Sequence, residues 1–401
     1  MEKTYDLIVS NDNGNSEHKL VINGIPVKHP NVFARISKPR SEKKTTLIEA
    51  INELHNNIDI TISSPAIKLA DNTRVLVGHA AMAGVAASKV KNMNLEKGKK
   101  HEQDLPIINT LGIVAVKTVQ EHFSEKKEIE NNDVLEVTVN MSTCLPASVY
   151  NEVNAKIFKE RFQKGTHMVT VNIKSDLRVV VKVTFGYVGV SAEGTPPLFE
   201  IIEDGEGNYR SGDMFDEFIK QYNMKPDLDG QYFQDKNLMH IDIGDGTTEL
   251  IITNGYELKH SEGLEYGLGV ALESVVSIWK EKKSYTRQDI SEIIKSKSHA
   301  FKEDILTDLN GEPLENLSFD IAEDVQSFVN NMRSKEIHIA VVYGGGSILL
   351  KDHLYSKLMA IAKKERFKLL WIPPQYAVDM NVNGLNTFND IYMDELTAPV
   401  S

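Results

Sequence analysis

Hydrophobic residues recur along the chain in two rhythms. Leu135, Val137, Val139 and Met141 alternate with polar neighbours, the period-two signature of a strand with one buried face. Leu47, Ile51, Leu54 and Ile58 instead fall at helical spacing behind Thr46, and Glu49 completes a capping box at that helix start. Met168 to Ile173 and Val179 to Phe185 are further β-rich runs, and helices are expected around Asp213 to Tyr222, Val270 to Trp279 and Leu317 to Met332. The segment from Glu203 to Gly212, rich in glycine and acidic residues, predicts an exposed loop. Alternating helix and strand over 401 residues predicts an α/β protein with more than one core, because single cores stop growing at about 250–300 residues.

One pattern occurs twice. Tyr5 to Val9 is an apolar run that breaks into a polar loop over Ser10 to Glu17, followed by Lys19 to Ile22, an Asn23-Gly24 turn and Ile25 to Val27. Leu238 to Ile243 breaks into Gly244 to Thr248, followed by Glu249 to Thr253, Asn254-Gly255 and Tyr256 to His260. Asn-Gly between two apolar runs is the mark of a two-residue hairpin. Side by side, DNGNSEHKLVING and DIGDGTTELIITNG share Asp-x-Gly at the loop and Asn-Gly at the turn. The repeat predicts an internal duplication whose copies head two related lobes.

The two loops carry the same chemistry. Asp12, Asn13, Gly14, Asn15 and Ser16 offer a carboxylate, a glycine that admits close backbone approach, and N–H and hydroxyl donors for an anion, with Lys19 following. Asp242, Gly244, Asp245, Gly246 and Thr247 supply the same set. A carboxylate repels phosphate unless a divalent cation stands between them, and Mg²⁺ is usually held by one or two carboxylates, several waters and substrate phosphates. Asp12 and Asp242 are therefore the candidate metal residues, acting through water. Taken singly, each loop is also what an ordinary Asp-Gly turn requires. A third glycine segment, Gly344-Gly345-Gly346-Ser347, follows the predicted strand His338 to Tyr343 and precedes a helix bearing Leu349, Leu350, Leu354 and Leu358. Such a turn lets a flat ring or a phosphate lie on bare backbone at a helix start.

Charge and cysteine content narrow the setting. Acidic residues outnumber basic ones by 57 to 45, so the surface as a whole repels a phosphate backbone and no direct nucleic-acid binding is expected. The basic runs Lys97 to Lys100 and Lys280 to Lys283 are short and read as a solvated loop and a helix face. Cys144 is the only cysteine, which excludes an intrachain disulfide and fits a cytoplasmic location. The N-terminus shows no positive-then-apolar leader, no apolar run approaches the roughly 20 residues of a membrane span, and the stretch Met393-Asp394-Glu395-Leu396 is acidic, so no membrane partner is expected.

Two Asp-x-Gly hairpin loops followed by a triple-glycine strand-to-helix turn resemble the pattern shared by actin, the heat-shock chaperone ATPase domains and the sugar kinases. The resemblance implies a two-lobed, actin-like α/β fold with an RNase H-like core in each lobe, residues 1–194 with 375–401 forming one and 195–374 the other. It also implies Mg²⁺ and ATP, with GTP as the alternative nucleotide, in the cleft between them. Glu193-Gly194-Thr195-Pro196-Pro197 stands where ParM-type, plasmid-segregating bacterial actins carry a glutamate and then a proline ahead of the interdomain helix. On that resemblance Glu193 orients the attacking water, with Asp12 and Asp242 beside it in catalysis; a plain surface glutamate is the other reading. Gly263 to Gly269 resembles the glycine-bearing loop after the second hairpin, and Asn381-Val382-Asn383-Gly384-Leu385 resembles the Asn-Gly turn that closes these folds. Asn13 and Asn15 in the first loop, and a longer first lobe, depart from the R-plasmid pattern. The implied function is ATP hydrolysis coupled to self-assembly into filaments that segregate plasmid DNA through a basic, ParR-type adaptor. A small-molecule kinase of the same fold and a non-segregating bacterial filament are the alternatives.

Overall fold

The computed structural model describes residues 4–40, 45–93, 100–280, 283, 285–332 and 336–398. Most of the two basic runs, residues 97–99 and 281–282, lies outside them. The chain divides into two compact units, one comprising Met1–Leu145, Val149–Ser191 and Leu385–Ser401, the other Pro146–Ser148 and Ala192–Gly384.

The first unit is built on a nine-stranded sheet. Its strands are β1 (Thr4–Asn13), β2 (Glu17–Ile22), β3 (Ile25–Pro30), β4 (Phe33–Arg35), β5 (Asp59–Ser63), β6 (Thr73–Val77), β7 (Val134–Leu145), β8 (His167–Lys174) and β9 (Leu177–Ala192), in the order β3-β2-β1-β7-β9-β8-β5-β6-β4. The second unit holds β10 (Asn237–Ile243), β11 (Thr248–Asn254), β12 (Glu257–Leu264), β13 (Ile339–Tyr343) and β14 (Lys368–Trp371), in the order β12-β11-β10-β13-β14. The expected duplication is present in this topology. β1 pairs antiparallel with β2 and parallel with β7, and β10 pairs antiparallel with β11 and parallel with β13. Asn23 and Gly24 both take positive φ, 48° and 77°, as a type I′ hairpin turn requires.

Alternation along the strands sends side chains into separate cores. Met239, Ile241 and Ile243 of β10 pack with the helices Leu268–Trp279, Glu312–Asn331 and Gly345–Glu365. Leu238, Val341 and Tyr343 pack on the other side with Leu198, Ile201 and Phe218. In the first unit, Leu7 and Val9 of β1 join a core with Val137, Val139, Ile108 and Leu111, the last two from the helix Leu105–Lys126. No helix among the described residues is long and apolar enough to cross a membrane.

Three sequence expectations need correction. The polar break after Val9 is shorter than expected, because β1 continues through Ser10, Asn11, Asp12 and Asn13, all of them buried, leaving residues 14–16 as the loop. Partners replace the lost water: Asn11 Nδ2 donates to Thr110 Oγ1 at 3.1 Å, its Oδ1 lies 2.6 Å from His18 Nε2, and Asn389 Nδ2 donates to Ser10 Oγ at 2.9 Å. The first helix has its Thr46–Glu49 capping box but spans only Leu47–Asn52, and Ile58 instead leads into β5. Asn56 and Asn57, which favour turns over helix, account for the early stop. Finally, Asn381 to Leu385 is no turn but part of the helix Met380–Thr397. Gly384 serves close packing there: a Cβ on it would lie 1.8 Å from the Pro196 carbonyl oxygen.

Buried imidazoles make this fold sensitive to acid. His18 and His29 stand directly opposite each other on β2 and β3. Burial, then the neighbouring His79 and His55, lowers His29 to about 4, and burial alone lowers His240 to about 3. The unfolded chain takes up these protons near 6.5, so the stability they contribute is full above that pH and is lost as pH falls toward 4. His29→Gln should therefore flatten the fall of Tm between pH 6.5 and 4, with wild-type Tm nearly retained at pH 7.5. A calorimetric pH series checks this.

Candidate functional site

In the first unit, the loop Gly14-Asn15-Ser16 joins β1 to β2, and one residue holds both of its ends. The Asn31 backbone N–H donates to Ser16 O at 2.9 Å, while its side-chain amide donates to Gly14 O at 2.5 Å and Asn13 Oδ1 at 2.7 Å. Asn109 Nδ2, from the helix Leu105–Lys126, donates in turn to Asn31 Oδ1 at 2.8 Å. Asn13, Asn31 and Asn109 are all buried, so this amide chain fixes the loop from below. Asn13 points into that chain, and its Nδ2 has no partner among the described residues. Asp12 faces Lys19 across the strand pair, with Nζ 3.6 Å from Oδ2, and Cys144 Sγ lies 4.0 Å from its Oδ1.

In the second unit, the loop Gly244 to Thr247 is closed by Gly244 N–H donating to Thr247 O at 2.9 Å. The start of the helix Leu268–Trp279 grips it, with Leu268 N–H on Gly244 O at 3.0 Å and Gly269 N–H on Asp245 O at 2.7 Å. Any Cβ on Gly267 would lie 2.5 Å from Gly244 O, which explains the glycine-bearing segment before this helix. Burial pushes the Asp245 carboxyl up, against the pull of Arg287, whose Nη2 lies 3.4 Å from Oδ2.

Asp242 and Glu249 stand directly opposite on β10 and β11. Glu249 holds the place in the second copy that Lys19 holds in the first, so an ion pair in one hairpin is replaced by two facing carboxyl groups in the other. Glu249 Oε1 accepts from Ser148 Oγ at 3.4 Å, and its buried Oε2 has no hydrogen-bond partner among the described residues. Burial, then the charges of Glu193 and Asp242, pushes this carboxyl up to about 8. Glu193 is brought here because Gly194, at φ 88°, packs against Ile251 of β11. Three carboxyl groups thus crowd one strand end, an arrangement that a divalent cation relieves, and the residues fit Mg²⁺ in that respect.

The triple-glycine turn borders the same strand end. Gly344 takes φ 89°, and a Cβ on it would lie 2.5 Å from both Asp242 Oδ1 and Ile243 O. Around Gly345 there is open space, at the N-terminus of the helix Gly345–Glu365, a position from which helix N–H groups can meet an anion or a ring edge. Ser347 is buried, its Oγ donating to Gly344 O at 2.8 Å.

Within the second unit the structure thus gathers Glu193, Asp242, the 244–247 loop and Gly344 to Ser347, and within the first it gathers Asp12, Lys19 and the loop from Asn13 to Ser16. Sequence reasoning missed Glu249, Asn31 and Asn381. For Glu249 there was a signal, an acidic residue opening the otherwise apolar run Leu250 to Ile252. For the two asparagines there was none, because their partners are distant in the chain.

Replacing Asn31 by Ala strips Gly14 O and Asn109 Nδ2 of their partner and is expected to cost about 1–3 kcal/mol, read by urea unfolding. Glu249 keeps its proton in the folded state up to about 8, whereas the unfolded chain releases it near 4.5. Its contribution to stability is therefore full below the lower value and is lost as pH rises through the upper. Glu249→Gln should stabilise the protein at pH 8 by on the order of 2 kcal/mol and leave it unchanged near pH 4.5, measured with EDTA and without nucleotide.

No protein-family model matches the chain, and no curated protein matches it in sequence. Solved structures match it in fold. Alp7A, an actin-like protein, is 17% identical with a TM-score of 0.68, the match covering 98% of each chain. Bacillus thuringiensis ParM solved with ATP is 16% identical with a TM-score of 0.61, covering 97% of this chain and 99% of that one. An archaeal actin homologue, Ta0583, is 16% identical with a TM-score of 0.56 over 96% and 99%. These likenesses span nearly the whole chain, and the duplicated strand order, the twin aspartate hairpins and the glycine turn all fall within them: the chain has the actin-like α/β fold.

Proposed function

We propose that this protein is a filament-forming, ATP-hydrolysing actin-like protein that moves plasmid or similar DNA through a basic adaptor of the ParR type. The observation that carries the reading is the crowding of Glu193, Asp242 and Glu249 at one strand end, beside the 244–247 loop and the open helix start at Gly345. Carboxylates among anion-facing backbone donors suit a cation-bound polyphosphate. Bacillus thuringiensis ParM has been solved with ATP, ADP and AMPPNP, which supports a nucleotide as the ligand here, GTP being the alternative to ATP.

In this reading Asp242 and its counterpart Asp12 hold Mg²⁺ through water, and the cation supplies charge neutralisation on the phosphates. Lys19 and the residues from Asn13 to Ser16 and from Gly244 to Thr247 contact the phosphates, and Gly344 to Ser347 border the nucleoside. Glu193 orients the attacking water, since in-line transfer asks of the protein mainly positioning. Subunits associate head to tail in a contact that does not close, the geometry of a filament. With a net charge of −12, the chain calls for a basic intermediary to reach DNA.

A second reading draws support from Glu249. A small-molecule kinase needs a carboxylate base near an acceptor hydroxyl, and a buried carboxyl raised to about 8 meets the need for a tuned acid or base. Light scattering after addition of Mg²⁺ and ATP separates the two. Assembly predicts a rapid rise that decays as nucleotide is consumed; a flat trace at micromolar protein, with phosphate transferred to an added sugar, supports the kinase. Glu193→Ala should slow hydrolysis on the order of 100-fold while leaving assembly intact, giving long-lived filaments. Lost assembly with normal hydrolysis removes Glu193 from this role.

A further inference from the structure

The corrected helix Met380–Thr397 bears on the site through its first turn. Asn381 Nδ2 donates to Asp242 Oδ2 at 3.0 Å. An ionised carboxylate only accepts hydrogen bonds, so the amide must turn its NH₂ toward Asp242 and its oxygen away. That oxygen is buried and has no hydrogen-bond partner among the described residues. The other oxygen of Asp242 lies where Gly344 would otherwise carry a side chain. One carboxylate oxygen is therefore held by a donor, and the other is left room by a glycine.

Along the same turn, Gly384 brings helix backbone against the carbonyl of Pro196, close after Glu193 in the chain. Asn383 N–H donates to Asp379 O at 2.8 Å, which anchors this turn in its own helical geometry. A single helical turn thus abuts both the Asp242 carboxylate and the segment that carries Glu193. The first contact fills no core position: Asn381 is only half-buried, and its amide donates to the aspartate.

We propose that Asn381 is a positioning residue that fixes the rotamer of Asp242 toward the cation of a bound Mg²⁺-nucleotide, a role that rests on the function proposed above. A hydrogen bond to an ionised acceptor is among the stronger ones, and partners of metal-holding carboxylates typically carry 10–100-fold in metal affinity. The same bond holds the Asp242 side chain in place opposite the Glu249 carboxyl across the strands.

Titration calorimetry with AMPPNP, once with Mg²⁺ and once with EDTA, tests this without any turnover. For the wild type, Mg²⁺ should tighten binding. In Asn381→Ala that gain should shrink by about 10–100-fold, while affinity in EDTA and Tm without ligand stay at wild-type values. Asn381→Gln, which keeps the donor, should recover part of the gain, and Asn381→Asp, which sets a second negative charge against Asp242, should lose more than the Ala variant. An undiminished Mg²⁺ effect in Asn381→Ala overturns the inference, as does an equal loss with and without Mg²⁺, the mark of a packing role. A wild type whose AMPPNP affinity ignores Mg²⁺ overturns the inference, and one that binds no AMPPNP in either condition overturns the nucleotide reading itself.

Discussion

A polar side chain buried at the end of a central strand must find partners, and that demand shapes the surroundings of both β1 and β10. In the first unit it draws in an amide chain from Asn13 through Asn31 to Asn109, and a hydrogen bond from Asn11 to Thr110. In the second, Ser148 donates to the buried Glu249, while Asn381 donates to Asp242, which is only half-buried. Without such partners each buried group costs on the order of 1–3 kcal/mol. The loop from Gly14 to Ser16 is therefore held through the polar residues of the strand beneath it.

The duplicated hairpins show how one scaffold divides its chemistry. Asp12 has a lysine across the strand pair and Asp242 has a glutamate. The first pairing is compensated within the unit; the second has no cation across the strands, and burial with the neighbouring charges holds the Glu249 proton to about 8. Local symmetry of backbone thus coexists with different electrostatics.

Glycines distribute over the same strand end by necessity of space. Gly344 leaves room for Asp242, and Gly267 for the loop carbonyls of Gly244, Asp245 and Thr247. Gly345 has no neighbour to avoid, so its bare backbone opens outward at the start of a long helix. Packing accounts for the first two; only the third leaves a surface on which something else can lie.

The sequence by itself determined the elements whose causes are local. Period-two alternation marked β7, Asn-Gly marked the first hairpin turn and, one residue early, the second, whose turn is Gly255-Tyr256, Thr46 with Glu49 marked a helix start, and the repeated Asp-x-Gly marked the duplication that the strand order bears out. Tertiary structure alone decided which polar residues stay in strands and which side chains meet. Ser10 to Asn13 reads as a loop until residues as distant as Thr110 and Asn389 supply their hydrogen bonds. Asn381 to Leu385 reads as a turn until Pro196 presses on Gly384. Turn chemistry and periodicity act over a few neighbouring residues, whereas the partner of a buried amide is chosen by how distant segments pack, and no local pattern records that choice.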